Sequence, residues 1–507
     1  MKECCENIEQ ENVLELVLQC KNGVSLTRWE ILSRSEVEDT HYASLEVLET
    51  VGMVVQEETS LKLLEEAGAN VEPKRKLVKI PQHLIQEALK KIPKGGRKHY
   101  GRTPIYDAKT GEHLCFRAGS PVPYTYDIDT GEHRLATRKD LEDTMRILDG
   151  LSNVHVCFQP YTISDVPAEV IPQHTAEIML KNTEKPVGMV TFGRKGAKDF
   201  IRMAEVVAGG MEELIKRPMI EVCCEPTSPL QIDRLQLEML IEFAMHKLPI
   251  EIAGMPTVGS TAPMSLAGTL VQANAEHLCM MLIAQLVNPG VHVQVNAMPG
   301  IMDPRTGIST YGAIERMLLQ VAMIQLYRSR YGIEVFASGG VSDSKISDEQ
   351  AGYERMANML LPALAGAHGI TSLGNLESYL TVSPVQLVID NEIAGMILRG
   401  LSGIEFSDET LAVDVIRKVG PGGHFLTEKH SLQHIKKLYI PELADRKTRG
   451  EWRDAGSKDI LQRAKEKAKE MLETHKPEPL EKEVREELSE IVREAERKAR
   501  AHNQTNQ

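Results

Sequence analysis

The sequence predicts an α/β fold, a TIM (β/α)₈ barrel with an N-terminal helical cap and a C-terminal helical extension. Eight short apolar runs begin near residues 115, 154, 186, 218, 249, 291, 333 and 369, and examples such as PIEIAG and VHVQVN have the composition of buried parallel strands. Stretches of roughly 25–35 residues with helical spacing, such as RLQLEMLIEFAMHK, separate these runs. Repeated strand and helix is the pattern of this barrel, which carries its functional residues on the loops after its strands.

The chain of 507 residues divides into three predicted regions. Residues 1–110 form an N-terminal arm and helical cap, residues 111–430 form the barrel as the catalytic domain, and residues 431–507 form a C-terminal helical extension. The last part of this extension, at 457–475 and 477–500, is rich in Ala, Glu, Lys and Arg, and its apolar residues are too sparse for a coiled-coil seam. It therefore predicts a solvated helix or a helix that docks on a partner.

Charge and cysteine usage exclude several classes of function. The formal net charge is −13 and no basic run is interleaved with aromatic residues, so the sequence does not predict nucleic-acid binding. The eight cysteines include no C-x-x-C pair and mostly occur in apolar runs, where a free thiol packs as a small hydrophobic group. The sequence predicts neither a signal peptide nor a membrane span, and we expect a cytoplasmic protein.

The candidate substrate-binding residues are the polar and aromatic side chains near the strand ends. They are Tyr124 and Tyr126 after the first strand, Phe192 after the third, Glu225 after the fourth, Asn296 at the sixth, Arg316 on the following helix, and His368 and Asn375 at either end of the eighth. Aromatic faces attract quaternary ammonium groups. The alternative is that the two tyrosines pack under the cap, Arg316 forms a surface salt bridge and His368 is a core histidine. The sequence shows no H-E-x-x-H motif and no nucleophile elbow, so we assign no metal ligand and no catalytic residue.

Four stretches of the chain resemble the trimethylamine methyltransferase family. They are LEVLETVGMVV, LLEEAGANVEPKRKLVKIPQHLIQEALKKIP, GSPVPYTYDIDTGEHRLATRKDL and FASGGVSDSKISDEQAGYE, and the likeness extends over residues 30–450. The chain contains only ordinary residues, so it is similar to the branch of the family that lacks pyrrolysine. The resemblance implies a methyltransferase that moves a methyl group from a quaternary amine, such as glycine betaine, to the cobalt(I) of a corrinoid on a separate, cognate corrinoid protein.

The resemblance also bears on cofactor and mechanism. The corrinoid-binding motif D-x-H-x-x-G is absent, because the nearest match, residues 39–44, lacks the glycine, so we expect no permanently bound corrinoid. A quaternary ammonium departs as a neutral amine, which removes the need for a strong acid–base pair. If the substrate is a betaine, its carboxylate needs donors, and the candidates are Arg316, His368 and the backbone N–H groups of the GMPTVGS and GGVSDS loops.

Two other functions remain open at this stage. A barrel lyase or aldolase acting on a small carboxylate substrate would use Lys345 as its amine nucleophile and the backbone of Gly339–Gly340 as an anion site. A non-catalytic betaine-binding scaffold would bind the ligand without methyl transfer. For any of these functions we expect a homo-oligomer, because large barrels commonly self-associate.

Overall fold

The barrel is closed by eight parallel strands. A computed structural model describes residues 18–19, 25–26, 28–110 and 114–505. The strands are β1 (Cys115–Ala118), β2 (Val156–Phe158), β3 (Val187–Met189), β4 (Ile220–Cys224), β5 (Ile250–Gly254), β6 (Val293–Ala297), β7 (Val335–Ser338) and β8 (Gly369–Leu373). Each begins within two residues of its predicted position, so the predicted TIM barrel is confirmed. We call the opening at the carboxyl ends of these strands the mouth.

Helices surround the barrel and extend it at both ends. In chain order they are α1 (Arg34–Glu46), α2 (Glu58–Glu66), α3 (Gln82–Lys91), α4 (Arg138–Gly150), α5 (Ile171–Asn182), α6 (Arg194–Ala208), α7 (Met211–Lys216), α8 (Arg234–Met245), α9 (Leu266–Val287), α10 (Ile314–Gln325), α11 (Glu349–Leu364), α12 (Pro384–Leu401), α13 (Asp408–Leu411), α14 (Val413–Val419), α15 (Lys429–His434), α16 (Arg449–Asp454), α17 (Ile460–Thr474) and α18 (Lys482–Thr505). Helices α4 to α12, apart from the short α7, each follow one barrel strand, and α12 completes the barrel before the predicted boundary at 430.

The N-terminal helices cover the side of the barrel. Helices α1, α2 and α3 all pack on α9, which is also flanked by α8 and α10. This double cover explains why α9 is apolar on every face. By length and composition α9 could cross a membrane, but 78% of its most apolar stretch is buried inside the protein, as in a core helix. The predicted cap therefore covers α9 and leaves the mouth to the loops. Most of the predicted arm lies outside the described residues.

The amino end of the barrel is closed by buried charged side chains. His99 is fully buried between Glu221 and Glu334, with nitrogen–oxygen distances of 3.7 and 3.6 Å. Arg97 pairs with Glu221, and the Thr110 hydroxyl donates to Glu334. Burial lowers the pKa of His99 well below its ordinary value, so the imidazole is neutral. Access to the barrel interior is thereby confined to the mouth.

The charged C-terminal helices pack on the barrel of their own chain. Helix α17 lies against α12 and α4, and α18 lies against α5 and α6. Small side chains allow this close approach, and the buried residues are Ala464, Ala468, Met471, Leu488, Ile491, Val492 and Ala495. The prediction of a solvated tail was wrong, because one sparse apolar stripe is enough to bury one face of each helix.

The cysteines that the structure describes are core residues, as predicted. Cys115, Cys157, Cys223, Cys224 and Cys279 are free and buried. Burial raises the pKa of each of these thiols, so they are held as neutral, weakly reactive groups.

Candidate active site

Glu225 is an unpaired carboxylate at the mouth. It follows β4 directly, and its backbone N–H donates to Gln236 Oε1 at 2.9 Å, which fixes the turn. Burial, and then the negative charge of Glu251, raise the pKa of Glu225 to about 7. Among the residues that the structure describes, no cation forms an ion pair with it. A ligand cation would supply the missing charge.

Two tyrosines stand beside this carboxylate. Tyr311 from the loop after β6 and Tyr379 from the loop after β8 meet edge to face, with ring centroids 4.8 Å apart and an interplanar angle of 89°. The charge of Glu225 acts on both hydroxyls. Burial raises the pKa of Tyr311 to about 12 and raises that of Tyr379, so both rings are neutral at physiological pH. The Arg316 guanidinium lies 5.4 Å from the Tyr311 ring centroid, and neutral aromatic rings next to a carboxylate form a surface suited to a diffuse cation.

Asp343 fastens the loops that carry these tyrosines. Its carboxylate accepts the backbone N–H groups of Tyr311 and Gly312, each at 2.8 Å, and the hydroxyl of Ser378 at 2.7 Å. Glu354 in turn accepts the Asp343 N–H at 2.9 Å. The loop after β7 thus ties the loop after β6 to the loop after β8, and it sets the angle between the two rings.

A paired charge network inside the barrel forms the floor below the mouth. Arg117 bridges Glu221 and Glu251, at 2.8 and 2.6 Å, and its guanidinium lies 4.6 Å from the centroid of the Phe158 ring. Burial lowers the pKa of Arg117, but the two carboxylates outweigh it and raise the pKa above its ordinary value. Asn296 completes the floor with Nδ2 at 3.3 Å from Glu251 Oε1. These groups satisfy one another, which leaves Glu225 as the free charge above them.

The predicted tyrosines after the first strand form the rim of the mouth. Residues Tyr124–Tyr126 pair with His133–Leu135 and with Thr381–Val382, so the loops after β1 and β8 share a small sheet. The Tyr124 ring stacks on His133 with centroids 4.8 Å apart, and the Tyr126 hydroxyl donates to the Lys345 carbonyl at 2.6 Å. Neither packs under the N-terminal helices, which contradicts that alternative.

Phe192 and Asn375 lie at the mouth in different settings. Phe192 follows β3 with a φ of 52° and is 47% exposed, so its ring projects into solvent at the rim. Asn375 is fully buried, and its Nδ2 donates to the Ser372 carbonyl at 2.8 Å. Its side chain holds the bend after β8. Phe192 is thus available to a partner, whereas Asn375 has its Nδ2 occupied within the fold and its buried Oδ1 without a hydrogen-bond partner.

Arg316 and His368 cannot receive a substrate carboxylate, which corrects that prediction. The Arg316 guanidinium is fully buried and donates to the carbonyls of Pro299 and Ser338 at 2.9 and 2.8 Å. Buried in this way, it is not a surface salt bridge either. His368 precedes β8, so it lies at the closed amino end, where its Nδ1 accepts the Val335 N–H at 3.1 Å. Burial lowers its pKa to about 4, as for a neutral core histidine.

Tyr311, Tyr379 and Asp343 were not among the predicted site residues. The predicted residues mostly follow a strand directly, whereas both tyrosines stand further along their loops. The scarcity of aromatic residues, 4% of the chain, was the available signal, because any tyrosine on a strand-exit loop then merits attention. Asp343 lies within the GGVSDSK run, in which only the two glycines and Lys345 were considered as functional residues.

Comparison with known proteins places the chain in a family. The model of the trimethylamine methyltransferase (MTTB) family matches residues 7–501. The chain is 36% identical over 468 residues to trimethylamine methyltransferase MttB of Desulfitobacterium hafniense, covering 92% of this chain and 93% of the relative. It is 32% identical over 470 residues to a glycine betaine methyltransferase of the same species, covering 91% and 96%. The crystal structure of the Methanosarcina barkeri monomethylamine methyltransferase MtmB shares the fold, with a TM-score of 0.51, 13% identity and coverage of 90% and 91%. The chain therefore belongs to the trimethylamine methyltransferase family and is a methyltransferase.

Proposed function

We propose that this methyltransferase takes a methyl group from a quaternary amine and passes it to the cobalt(I) of a corrinoid held by a separate protein. The observation that carries the proposal is the unpaired Glu225 beside the edge-to-face pair of Tyr311 and Tyr379. Each aromatic face contributes about 0.5–2 kcal/mol to binding a quaternary ammonium. One relative at 32% identity is named a glycine betaine methyltransferase, and glycine betaine is a quaternary amine.

The chemistry asks little of the pocket beyond orientation. The bond between carbon and nitrogen breaks, its electron pair stays on nitrogen, and the amine leaves as a neutral molecule. The acceptor supplies the electron pair of the new bond to carbon. The ammonium loses its charge in this step, so a pocket of many carboxylates would hold the substrate too tightly for rapid transfer. One carboxylate with a raised pKa, flanked by neutral rings, binds the cation without holding it so tightly that methyl transfer becomes slow.

Exposed apolar side chains around the mouth support docking of a protein that brings the acceptor. Five strand-exit loops contribute them: Phe192, Met255, Met264, Ile308, Ile346 and Leu380 are between 36% and 64% exposed. An apolar ring around a polar pocket is the pattern expected of a protein interaction site, and Met and Phe side chains are enriched at such interfaces. A partner seated on this ring would place its corrinoid over the substrate methyl group.

The ammonium end of the substrate is the feature that the pocket recognises. Of the two predicted cationic donors to a carboxylate, Arg316 lies beside Tyr311 but donates to the Pro299 and Ser338 carbonyls, and His368 lies at the closed amino end of the barrel. Recognition of a carboxylate would therefore rest on backbone N–H groups, which are weaker partners than a guanidinium. Glycine betaine is the first substrate to test, and a quaternary amine without a carboxylate should also bind.

Two observations count against the lyase alternative. The Lys345 ammonium is exposed at the rim and donates to the Asp343 carbonyl at 2.9 Å, so it is not directed at the interior of the barrel, where an amine nucleophile would have to act. The N–H groups of Gly339 and Gly340 both donate to the Thr371 carbonyl, at 3.1 and 2.9 Å, so they are not free to bind an anion.

A spectroscopic assay tests the proposal. The protein is mixed with a reduced corrinoid protein and a panel of quaternary amines and trimethylamine, and the cobalt(I) absorbance is followed. Transfer from a quaternary amine, with loss of activity in Glu225→Ala, is the expected result. Transfer from trimethylamine alone would overturn the choice of substrate. Binding of the amines without transfer to any corrinoid protein would indicate the non-catalytic scaffold instead.

A further inference from the structure

The loop after β4, residues 226–232, is held in place by Glu276 on α9. Glu276 is fully buried, and its carboxylate accepts the Ser228 hydroxyl at 2.7 Å and the Leu230 backbone N–H at 2.9 Å. The Gln272 side chain, one turn earlier on α9, donates to the same carboxylate at 2.9 Å. In the described part of the chain no cationic side chain pairs with Glu276, so hydrogen bonds alone satisfy this buried group. Two of its three partners belong to the loop.

The conformation of this loop depends on such an anchor. Leu230 has a φ of 54°, a left-handed conformation that is unfavourable for a residue other than glycine. The loop also closes on itself, because the Thr227 N–H donates to the Gln231 carbonyl at 2.8 Å and the Gln231 N–H donates back to the Thr227 carbonyl at 3.1 Å. A strained turn of this kind keeps its shape only where its surroundings enforce it, and Glu276 binds it at the strained residue.

The N-terminal cap holds the same loop from its other side. The short strand Gln231–Ile232 pairs in parallel with Val54 and Val55 of the cap, so the loop forms one strand of the cap's sheet. The Val54 N–H donates to the Leu230 carbonyl at 2.9 Å. Leu230 is therefore bonded on both sides, through its N–H to Glu276 and through its carbonyl to the cap.

The position of this turn is passed directly to Glu225. Only Pro226 separates Glu225 from the turn, and the proline ring fixes its own φ. Pro226 is buried against the end of β5, where a methyl group added at Gly254 would lie 3.1 Å from the proline Cγ. The glycine thus lets the proline pack closely on the strand. A movement of the turn would therefore move the Glu225 side chain relative to Tyr311 and Tyr379.

We propose that Glu276 is a positioning residue of the active site, which acts through the 226–232 loop to hold Glu225 against the substrate. This role rests on the proposed function, in which Glu225 binds the ammonium group. Glu276 contributes by accepting the hydrogen bonds of the loop, whereas the charge that acts on the Glu225 carboxyl is that of Glu251. The titratable groups that interact with Glu225 are Glu251, Cys223, Cys224, Tyr311 and Tyr379.

Calorimetry with tetramethylammonium at a series of pH values tests this role without a corrinoid protein. Glu276→Ala frees the loop, so the Glu225 carboxylate should move away from the ammonium. A change from about 5 to about 8 Å at an effective dielectric of about 20 corresponds to a Kd that is about tenfold larger at pH 8. A carboxylate that gains water should also titrate nearer its ordinary pKa, so the pH midpoint of binding should fall from about 7 by about one pH unit or more.

Two further variants separate anchoring from charge and from misfolding. Glu276→Gln keeps an acceptor oxygen for the Leu230 N–H and offers an amide to the Ser228 hydroxyl, so it should recover most of the wild-type affinity. It also removes the titration of residue 276, so the pH midpoint that remains belongs to Glu225. Ser228→Ala removes one loop contact without changing α9, and it should raise the Kd by a smaller factor even where Glu276→Ala does not fold.

The matched control is Glu392→Ala, which removes a similar anchor far from the mouth. Glu392 is 6% exposed and accepts the backbone N–H groups of Glu442 and Ala444, each at 2.9 Å. Its neighbour Asn391 accepts the backbone N–H of Asn153, which precedes β2 at the closed end of the barrel. This variant should lose stability in the same way but keep the wild-type Kd and pH midpoint.

Hydrogen exchange locates the effect within the chain. In Glu276→Ala the amides of 226–232 should exchange faster, while those of β1 to β8 keep their wild-type protection. Wild-type Kd and midpoint in Glu276→Ala would overturn the proposal, as would an equal loss of affinity in Glu276→Gln or in Glu392→Ala; the proposed function would remain. A wild type whose Kd is the same at pH 6 and pH 8 would instead overturn the proposed role of Glu225 and, with it, the role of Glu276.

Discussion

Binding of a quaternary amine should weaken as the pH falls below about 7, because Glu225 takes up a proton there. Burial, and then the charge of Glu251, raise the pKa of this carboxyl to about 7. The carboxylate attracts the ammonium, and the neutral acid does not. About one tenth of Glu225 is ionised at pH 6 and about nine tenths at pH 8, so the apparent Kd should be about tenfold larger at pH 6.

Glu225→Gln keeps the shape of the side chain and removes this charge. An ion pair at about 5 Å and an effective dielectric of about 20 contributes about 3 kcal/mol, so the variant should bind about 100-fold more weakly at pH 8, with no pH dependence. Isothermal titration calorimetry with glycine betaine and tetramethylammonium measures this without a corrinoid protein. Glu212→Gln, at an exposed position on α7, is the matched control and should behave as the wild type. A wild-type Kd that is equal at pH 6 and pH 8 would refute the reasoning, as would a pH dependence that survives in Glu225→Gln.

Three further outcomes follow from the same pocket. Glu225→Gln should raise the free energy of unfolding at pH 8 by about 3 kcal/mol and leave it unchanged at pH 4. The reason is that the pKa of Glu225 is raised from 4.5 to about 7, so the wild type has its full stability below pH 4.5 and loses about 3 kcal/mol as the pH rises through 7. Chemical denaturation at the two pH values measures this. Asp343→Ala should weaken amine binding at least tenfold, since Tyr311 and Tyr379 lose their common anchor, while circular dichroism stays unchanged; unaltered calorimetric affinity would contradict this role. Ile308→Glu, at a rim position that is 63% exposed, should raise the KM for the corrinoid protein several-fold and leave the amine Kd unchanged, and equal KM values would remove Ile308 from the docking surface.

Sequence patterns predicted the features that depend on residues close together in the sequence. The barrel strands were found because a buried parallel strand is an uninterrupted apolar run, and Glu225 was found because it follows such a run directly. The loop path that carries Tyr379 back over the barrel has no periodic signature, so its partnership with Tyr311 emerged only in three dimensions. His368 was misplaced for a related reason, since a residue before a strand lies at the end opposite to the mouth.

Two apolar surfaces of different form are exposed in the part of the chain that the structure describes. The ring around the mouth is discontinuous, because six side chains from five loops surround a polar pocket, and this suits a partner that binds and leaves. The exposed apolar side chains at 403–440 instead follow one another along the chain on short helices.

Backbone strain is concentrated at the mouth, and its position supports the assignment of the pocket. Glu377, Ser378 and Tyr379 are three successive residues with φ of 53°, 53° and 70°, a conformation that costs non-glycine residues about 1 kcal/mol or more each. Hydrogen bonds offset this cost, because the Ser378 hydroxyl donates to Asp343 and the Glu377 N–H donates to the Ser344 carbonyl at 2.8 Å. The loop in this conformation holds the Tyr379 ring against Tyr311, with centroids 4.8 Å apart. Such strain persists only where the surrounding structure enforces it, and here it accompanies the edge-to-face contact of Tyr379 with Tyr311.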